Sequence, residues 1–419
     1  MSAALRILQV HHRYRSGWGG EDSVAELEAD LLRRHGHEVE QLIVSAAGLE
    51  NPGALGLIAT GLGTVWSRRG YGLVRAAISR FSPDIMHVHN SFPLLSPSIY
   101  WAAAKAGVPV VQTLHNFRLT CANSLLLRNG QPCQDCVGHL PWAALRHRCF
   151  RKSFWSTAAV ASSNVVHRWL GTYTDKVPTY IALTSFSQSV MSRSGLPAGR
   201  IWVKPNFAAD PGNSHAQRSL QFMYVGEISR HKGVHLLLQA WKNAQPEGWR
   251  LLLVGEGPDR EQLQASCGAD SSIVWLGRLP HPEVIALLAA SRMLVLPSLC
   301  YENFPMVLLE AFSAATPVIA PSHGAFPALL SDGEDGMLFA PGSAPSLAAA
   351  LQAAVCAVDS HDGTWQHWSE TARRTYLAEF TPARNYMELF AIYQETIQYF
   401  HGRQRHPEHR PAAVLEPLP

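Results

Sequence analysis

Short apolar runs of strand type alternate with helix-patterned segments along nearly the whole chain, and few folds tolerate that alternation. In the first half the strand candidates are Leu5–Val10, Glu38–Val44, Asp84–Val88 and Val108–Leu114, with helical periodicity at Asp22–His35 and Pro97–Lys105. The second half repeats the scheme with Leu220–Val225, Trp249–Val254, Ser272–Leu276, Met293–Leu296 and Pro317–Ala320, each followed by a segment able to form a helix. Strands separated by helices in this way build parallel sheets covered by helices. At 419 residues the chain exceeds what a single hydrophobic core supports, so an α/β fold of two domains is expected. Asn206–Ser219, which holds Pro211, Gly212 and Asn213, reads as the linker, giving an N-terminal domain over 1–205 and a C-terminal domain over 206–381. Trp365–Glu379 and Pro382–Tyr399 read as two closing helices, and 402–419, rich in Pro, Arg and His, as a disordered tail.

Composition narrows the function classes. No apolar run is long enough to span a bilayer, and the nearest, Val284–Leu299, is interrupted by Arg292. The N-terminus enters a strand-like segment without the succession of basic, apolar and small residues that marks a signal peptide, so a cytoplasmic location is expected. A net charge of +3 leaves no footprint for nucleic acid. Arg146, Arg148, Arg151 and Lys152 cluster beside Trp142, Phe150, Phe154 and Trp155. That pattern suits a peripheral contact with an anionic inner-membrane surface, but the ordinary arrangement, and the expected one, is a solvated helix face over a buried aromatic stripe.

Three loops carry residues suited to a charged ligand. In Tyr301-Glu302-Asn303-Phe304-Pro305-Met306-Val307-Leu308-Leu309-Glu310 two carboxylates stand eight residues apart directly after a strand. Pro305 suits the first turn of a helix, which puts Glu302 at the sheet edge and Glu310 two turns into the helix on about the same face. The amides of Met306 and Val307 at that helix start suit a phosphate. A glutamate favoured by the helix dipole, with an incidental second one, would leave the same trace. Gly226-Glu227-Ile228-Ser229-Arg230-His231-Lys232-Gly233 follows another strand, where a lysine is placed to neutralise a diphosphate, although exposed loop lysines are commonplace. Gly17-Trp18-Gly19-Gly20-Glu21, between the first strand and the first helix, either lets the backbone approach a ligand or serves only a tight turn.

These segments, in this order, resemble the family 4 glycosyltransferases of the two-domain GT-B fold, and the resemblance runs from the glycine loop to the final helices. Glu302 and Glu310, continued by Ala311-Phe312-Ser313-Ala314-Ala315-Thr316-Pro317-Val318-Ile319-Ala320, are similar to that family's Glu-x7-Glu element and the strand after it. Gly255-Glu256-Gly257-Pro258 resembles its Gly-x-Gly-Pro turn, and Gly324 lies in its donor-side glycine loop. Phe380-Thr381-Pro382 is similar to the segment that crosses back, which would add a helix over 382–400 to the N-terminal domain.

The resemblance implies two Rossmann-like, doubly wound domains and a retaining transfer of a sugar from a nucleotide-diphosphate sugar to a saccharide or lipid-linked acceptor, in cell-surface polysaccharide or glycoconjugate biosynthesis. It implies that Glu310 binds the ribose hydroxyls of the donor, that Glu302 faces the donor sugar and that Lys232 holds the diphosphate. His115, in Thr113-Leu114-His115-Asn116-Phe117, matches a histidine facing the reaction centre; read alone, it is a polar residue closing a strand. Arg278 and Leu279 fall where backbone atoms contact the base, and Gly226, Gly324, Phe304, Met306 and Val307 complete the donor side. Gly19 and Gly20 belong to the acceptor side. One departure stands out: the family usually has an arginine directly after the glycine of the Gly226 loop, and this chain has Glu227. That carboxylate must turn away from a diphosphate, or Arg230 must supply the charge. The chain contains no Asp-x-Asp pair, so no catalytic metal is expected. The alternatives are a sugar-nucleotide epimerase of the same fold, which lacks this Glu-x7-Glu context, and a sugar-nucleotide-binding protein without turnover, which Glu227 would permit.

Four of the seven cysteines, Cys121, Cys133, Cys136 and Cys149, fall in one insertion after His115, the inner two spaced Cys-x2-Cys. In a cytoplasmic chain such a cluster points either to a structural zinc ion or to free, partly buried thiols.

Overall fold

A computed structural model describes residues 4–13, 19–45, 61–212 and 218–405. Gly17 and Trp18 of the glycine loop, the middle of the expected linker and the tail beyond Arg405 lie outside the described residues. In the first sheet, β1 (Arg6–Arg13), β2 (Glu38–Ser45), β3 (Ile85–Asn90), β4 (Val110–Leu114), β5 (Thr179–Ala182) and β6 (Ile201–Val203) run parallel in the order β2-β1-β3-β4-β5-β6. The second holds β7 (Gln221–Val225), β8 (Arg250–Val254), β9 (Ile273–Gly277), β10 (Met293–Val295), β11 (Val318–Pro321) and β12 (Gly336–Phe339), parallel in the order β9-β8-β7-β10-β11-β12. The expected pair of Rossmann-like sheets is therefore present.

Three strands of these two sheets escaped the sequence pattern, as did a small hairpin of Leu127–Arg128 and Gln131–Pro132. Thr179–Ala182 and Ile201–Val203 are too short to show a period. Gly336 opens β12 because a Cβ there would lie 2.0 Å from the Val318 carbonyl, so the close strand approach demands a residue that reads as loop.

The first helix, α1 (Gly20–Arg34), shows how local chemistry sets the elements. Gly19 is its N-cap, the Asp22 carboxylate accepts the Gly19 amide at 3.0 Å, and Arg33 and Arg34 close the last turn against the helix dipole. Its buried face, Val24, Ala25, Leu31 and Leu32, recurs at helical spacing. The last helix crosses back to the first sheet and runs over Pro382–Arg405, so the first residues of the expected tail are helical. Leu389, Ile392 and Tyr393 pack with Ile7, Ile85, Val111 and Ile181 on that sheet, and the Tyr393 hydroxyl meets His87 Nδ1 at 2.7 Å. Among the described residues no helix is long and apolar enough to cross a membrane.

Candidate active site

Each sheet reverses its strand order once, between β1 and β3 and between β7 and β10, and ligands of open parallel sheets bind beyond the carboxyl ends of strands at such points. In the C-terminal sheet the turns leaving β7 and β8 touch: a Cβ on Gly255 would lie 1.9 Å from the Gly226 carbonyl. Gly233, at φ +74°, is likewise forced, since a Cβ would lie 2.0 Å from the Pro297 carbonyl. This approach seats Lys232 against the loop after β10. Lys232 Nζ donates to Glu302 Oε1 at 2.7 Å, and Ser298 Oγ donates to the same oxygen at 2.6 Å. Burial alone would lower the Lys232 ammonium, but the Glu302 carboxylate, with Cys300 and Glu227, lifts it above its ordinary value. Burial would raise the Glu302 carboxyl, and Lys232 and Ser298 instead hold it below its usual range. Both members of the pair are therefore charged.

Glu227 is turned into its own loop. Its carboxylate accepts from Ser229 Oγ at 3.3 Å and lies 3.4 Å from His231 Nε2, while Arg230 stands exposed beside it.

The helix after Glu302 spans Met306–Ser313 with Pro305 as its N-cap, so Glu310 lies about one turn in, not two. Met306 and Val307 are its first residues, whose amides lack an intrahelical acceptor. Glu310 does not share the partner of Glu302. Its Oε1 meets His281 Nε2 at 3.0 Å, and that hydrogen bond raises the His281 imidazole above its ordinary value. Phe304 is buried against Phe380 in the C-terminal core, so it offers the cleft only its backbone. Arg278 stands exposed past the end of β9, Leu279 packs half-buried on the core, and Gly324 lies against the Tyr301 ring.

The edge of the N-terminal sheet is lined with histidines. His115, after β4, takes His89 Nδ1 at 2.9 Å on its Nε2. The protons follow from the neighbours: the Ala25 carbonyl can only accept, so the Gln9 amide nitrogen at 2.9 Å is a donor, and His89 Nε2, also 2.9 Å from that nitrogen, accepts. His89 then carries its proton on Nδ1 and donates it to His115 Nε2, which leaves the His115 proton on Nδ1. Burial, with His11 and His87, holds His115 well below the ordinary histidine value and so neutral. Gly19 and Gly20 serve the N-terminus of α1, and neither needs a left-handed backbone. Glu21, in the next position, accepts from Asn90 Nδ2 at 2.8 Å and Asn116 Nδ2 at 3.4 Å, and burial raises its carboxyl.

The two edges meet. Asn303 Nδ2 donates to the Leu114 carbonyl at 2.5 Å, the Tyr301 and Phe186 rings are 5.0 Å apart, and a Cβ on Gly20 would touch Met306 at 3.5 Å. His115, Gly20 and the Glu302 loop thus border one cleft. Sequence reasoning missed Ser298, His281, Glu21 and His89. All four stand at or near the carboxyl end of a strand or the start of a following helix, and that position was the available signal.

In the insertion, Cys121, Cys133, Cys136 and Cys149 line one cavity of about 20 Å³. The expectation of a buried aromatic stripe beside the basic cluster fails: Trp142, Phe154 and Trp155 are exposed, and only Phe150 packs inward, against Phe92. The inner face of the helix that bears two of them is already filled by Thr157, Val160, Ala161, Ser163, Asn164 and His167.

Residues 19–206 match the family described as glycosyl transferase 4-like domain, and residues 219–356 match glycosyl transferases group 1. A phosphatidyl-myo-inositol mannosyltransferase of Mycobacterium leprae is 29% identical over 64% of this chain and 63% of its own length. A glycogen synthase of Mycobacterium tuberculosis is 27% identical over 70% of this chain and 65% of its own length. The chain thus spans just under two thirds of each. The Anabaena protein HepE, solved in complex with UDP-glucose, superposes with a TM-score of 0.62 over 94% of this chain and 99% of its own, at 17% identity. A glycosyltransferase family model matches each sheet-bearing half, and the two parallel-sheet domains have the GT-B fold.

Proposed function

We propose that the protein is a retaining, family 4-type glycosyltransferase that moves a sugar from a nucleotide-diphosphate sugar to a saccharide or lipid-linked acceptor, in the cytoplasm, for cell-surface polysaccharide or glycoconjugate assembly. The observation that carries this reading is the Lys232–Glu302 pair at the β7/β10 switch point, with Glu310 one helical turn beyond. Bond breaking leaves negative charge on the diphosphate and positive charge on the sugar. Lys232 is the cation for the first, aided by exposed Arg230 and the amides of Met306 and Val307. Glu302 faces the second. Glu310 takes the ribose hydroxyls, the backbone at Arg278 and Leu279 takes the base, and Gly226, Gly324 and the Phe304 backbone shape the donor side. A diphosphate entering the cleft replaces Glu302 as the partner of Lys232, so the charge needs no metal. His115 and the Gly19–Gly20 helix start lie on the acceptor side, where a same-face attack lets the departing phosphate take the acceptor proton.

The test is incubation of purified protein with a panel of radiolabelled sugar nucleotides, with product stereochemistry read by NMR. Transfer or slow hydrolysis of one donor with its anomeric configuration kept is the expected result. Epimerised sugar nucleotide, inverted product, or binding without chemistry would each replace this reading.

A further inference from the structure

The insertion after His115 carries a helix whose largest apolar side chains, Trp155 and Trp169, face outward. In Phe154–Trp169 the inward face mixes Val160 and Ala161 with polar side chains: Ser163 Oγ donates to the Thr64 carbonyl at 3.0 Å, Asn164 Nδ2 to the Arg118 carbonyl at 2.8 Å, and His167 Nε2 lies 2.7 Å from the Val65 carbonyl. The outward side carries exposed Trp155 and Trp169 with half-buried Ala158, Val165 and Val166 between them, interrupted by Ser162, all spaced for one helical face. Trp155 is 80% exposed and Trp169 84%, and Trp142, on the adjacent short helix Trp142–His147, is 70% exposed. A helix that turns its apolar face outward is suited to an apolar medium beyond the protein.

Charge identifies that medium. Between Asp135 and Asp175 the chain has no Asp or Glu, while Arg146, Arg148, Arg151 and Lys152 fall there exposed. A second copy docked through the same stripe would set these cations against each other. An anionic bilayer answers both the charge and the exposed tryptophans. We propose that this face lies flat on an anionic lipid surface with Trp155 and Trp169 at headgroup depth. The helix rides on the loop leaving His115, since Arg168 Nη2 also donates to the Leu119 carbonyl at 2.9 Å.

Flotation with phosphatidylcholine vesicles, with and without phosphatidylglycerol, tests this in the absence of any sugar nucleotide, so its outcome is independent of the transfer reaction. Wild type should bind only the anionic vesicles and release in high salt. Each cation near the surface contributes about fivefold, so R148E/R151E/K152E should weaken binding on the order of 100-fold. W155S/W169S should weaken it at least about tenfold, with circular dichroism unchanged. Equal binding to both vesicle types, no binding, or a concentration-dependent dimer abolished by W155S/W169S would overturn the proposal.

A different observation carries a second site. The four cysteines reach their cavity from separate pieces of backbone: Cys121 follows a turn, Cys133 a two-residue hairpin strand, Cys136 a loop and Cys149 a short helix. A cavity of about 20 Å³ admits one water-sized occupant. We infer that the four thiolates hold one zinc ion that ties the insertion together. Zn–S bonds of about 2.3 Å imply sulfur separations near ~3.8 Å. Among the described residues only Glu28, His87 and His89 set three ligand atoms within 4.8 Å of one another, so the ion would draw the cysteine pocket inward. Elemental analysis of protein purified without chelators should find one zinc per chain. Cobalt exchange should give the absorption of tetrahedral thiolate ligation, lost in C136S. A metal content near zero with seven thiols titratable, or a disulfide within the cluster, would overturn the assignment.

Discussion

At the edge of the C-terminal sheet, Lys232 and Glu302 meet with side chains 28% and 13% exposed; in the N-terminal sheet, Lys204 and Glu28 meet at 2.8 Å with both about 1% exposed. The first pair can be separated by an incoming anion, because water and ligand reach it. The second cannot, and around it the titratable groups are held neutral: burial pushes His87 down to about 4 and His89 well below its ordinary value. One half of the cleft thus keeps its charges ready for exchange, and the other locks them into the scaffold that positions His115.

The largest expected effect breaks that scaffold. Lys204 ends the N-terminal sheet region beside Pro205 and reaches back to Glu28 on α1. Removing one partner leaves an uncompensated buried charge, so Glu28→Ala should lower stability by about 3–5 kcal/mol. Pairing Glu28→Gln with Lys204→Met should recover much of that loss, because neutral groups of similar shape replace the ions. Urea unfolding of both variants checks this. A cost for Glu28→Ala under about 1 kcal/mol, the range of a solvated pair, would mean the contrast between the two halves is unreal.

The next effect lies in the exchangeable pair. Lys232→Ala should lower kcat about 10²- to 10³-fold, as losing an electrostatic stabiliser of the leaving group typically does, while the fold survives. Within the same site, Glu310→Gln should cost free nucleoside diphosphate about 5- to 30-fold in affinity, because ribose contacts are equal in ground and transition states. Glu302→Gln should bind that ligand about as well as wild type and lose turnover. Calorimetry and kinetics separate the two, and a reversed pattern would mean that the roles of the two glutamates have been exchanged.

How legible these features were depends on which interactions define them. Parallel strands such as Gln221–Val225 and Arg250–Val254 announce themselves because burial on both faces makes them continuous apolar runs. Gly336–Phe339 does not, because its glycine answers to a neighbouring carbonyl distant in sequence. Lys232 and Glu302 were found through loop context, but that they bind each other is a fact of three dimensions across 70 positions. The Glu28–Lys204 pair spans 176 positions and has no local signature at all. Trp142, Phe154 and Trp155 misled in the opposite direction, since an aromatic cluster marks one face of a helix without saying whether protein or something else covers it.

The smallest effect sharpens the contrast through one residue type in two settings. Hydrogen bonding to Glu310 raises His281 above 6.5, whereas burial pushes His12 and His87 down to about 4. The signs are opposite. A raised folded value means that the His281–Glu310 contact contributes fully below the unfolded value of 6.5 and is lost as pH rises through the folded value. Depressed values mean that the buried histidines contribute above 6.5 and lose that contribution as pH falls towards about 4. Wild type should therefore be destabilised by acidification overall. The difference between wild type and His281→Gln should run the other way, larger at about pH 6 than at about pH 8.5. The His281 side chain is 65% exposed, so solvent screens the contact to a few tenths of a kcal/mol, about 1 °C in Tm. Paired thermal melts at the two pH values measure it. If the wild-type advantage persists or grows at the higher pH, His281 holds Glu310 as a neutral donor, and the C-terminal edge is as locked as the N-terminal one.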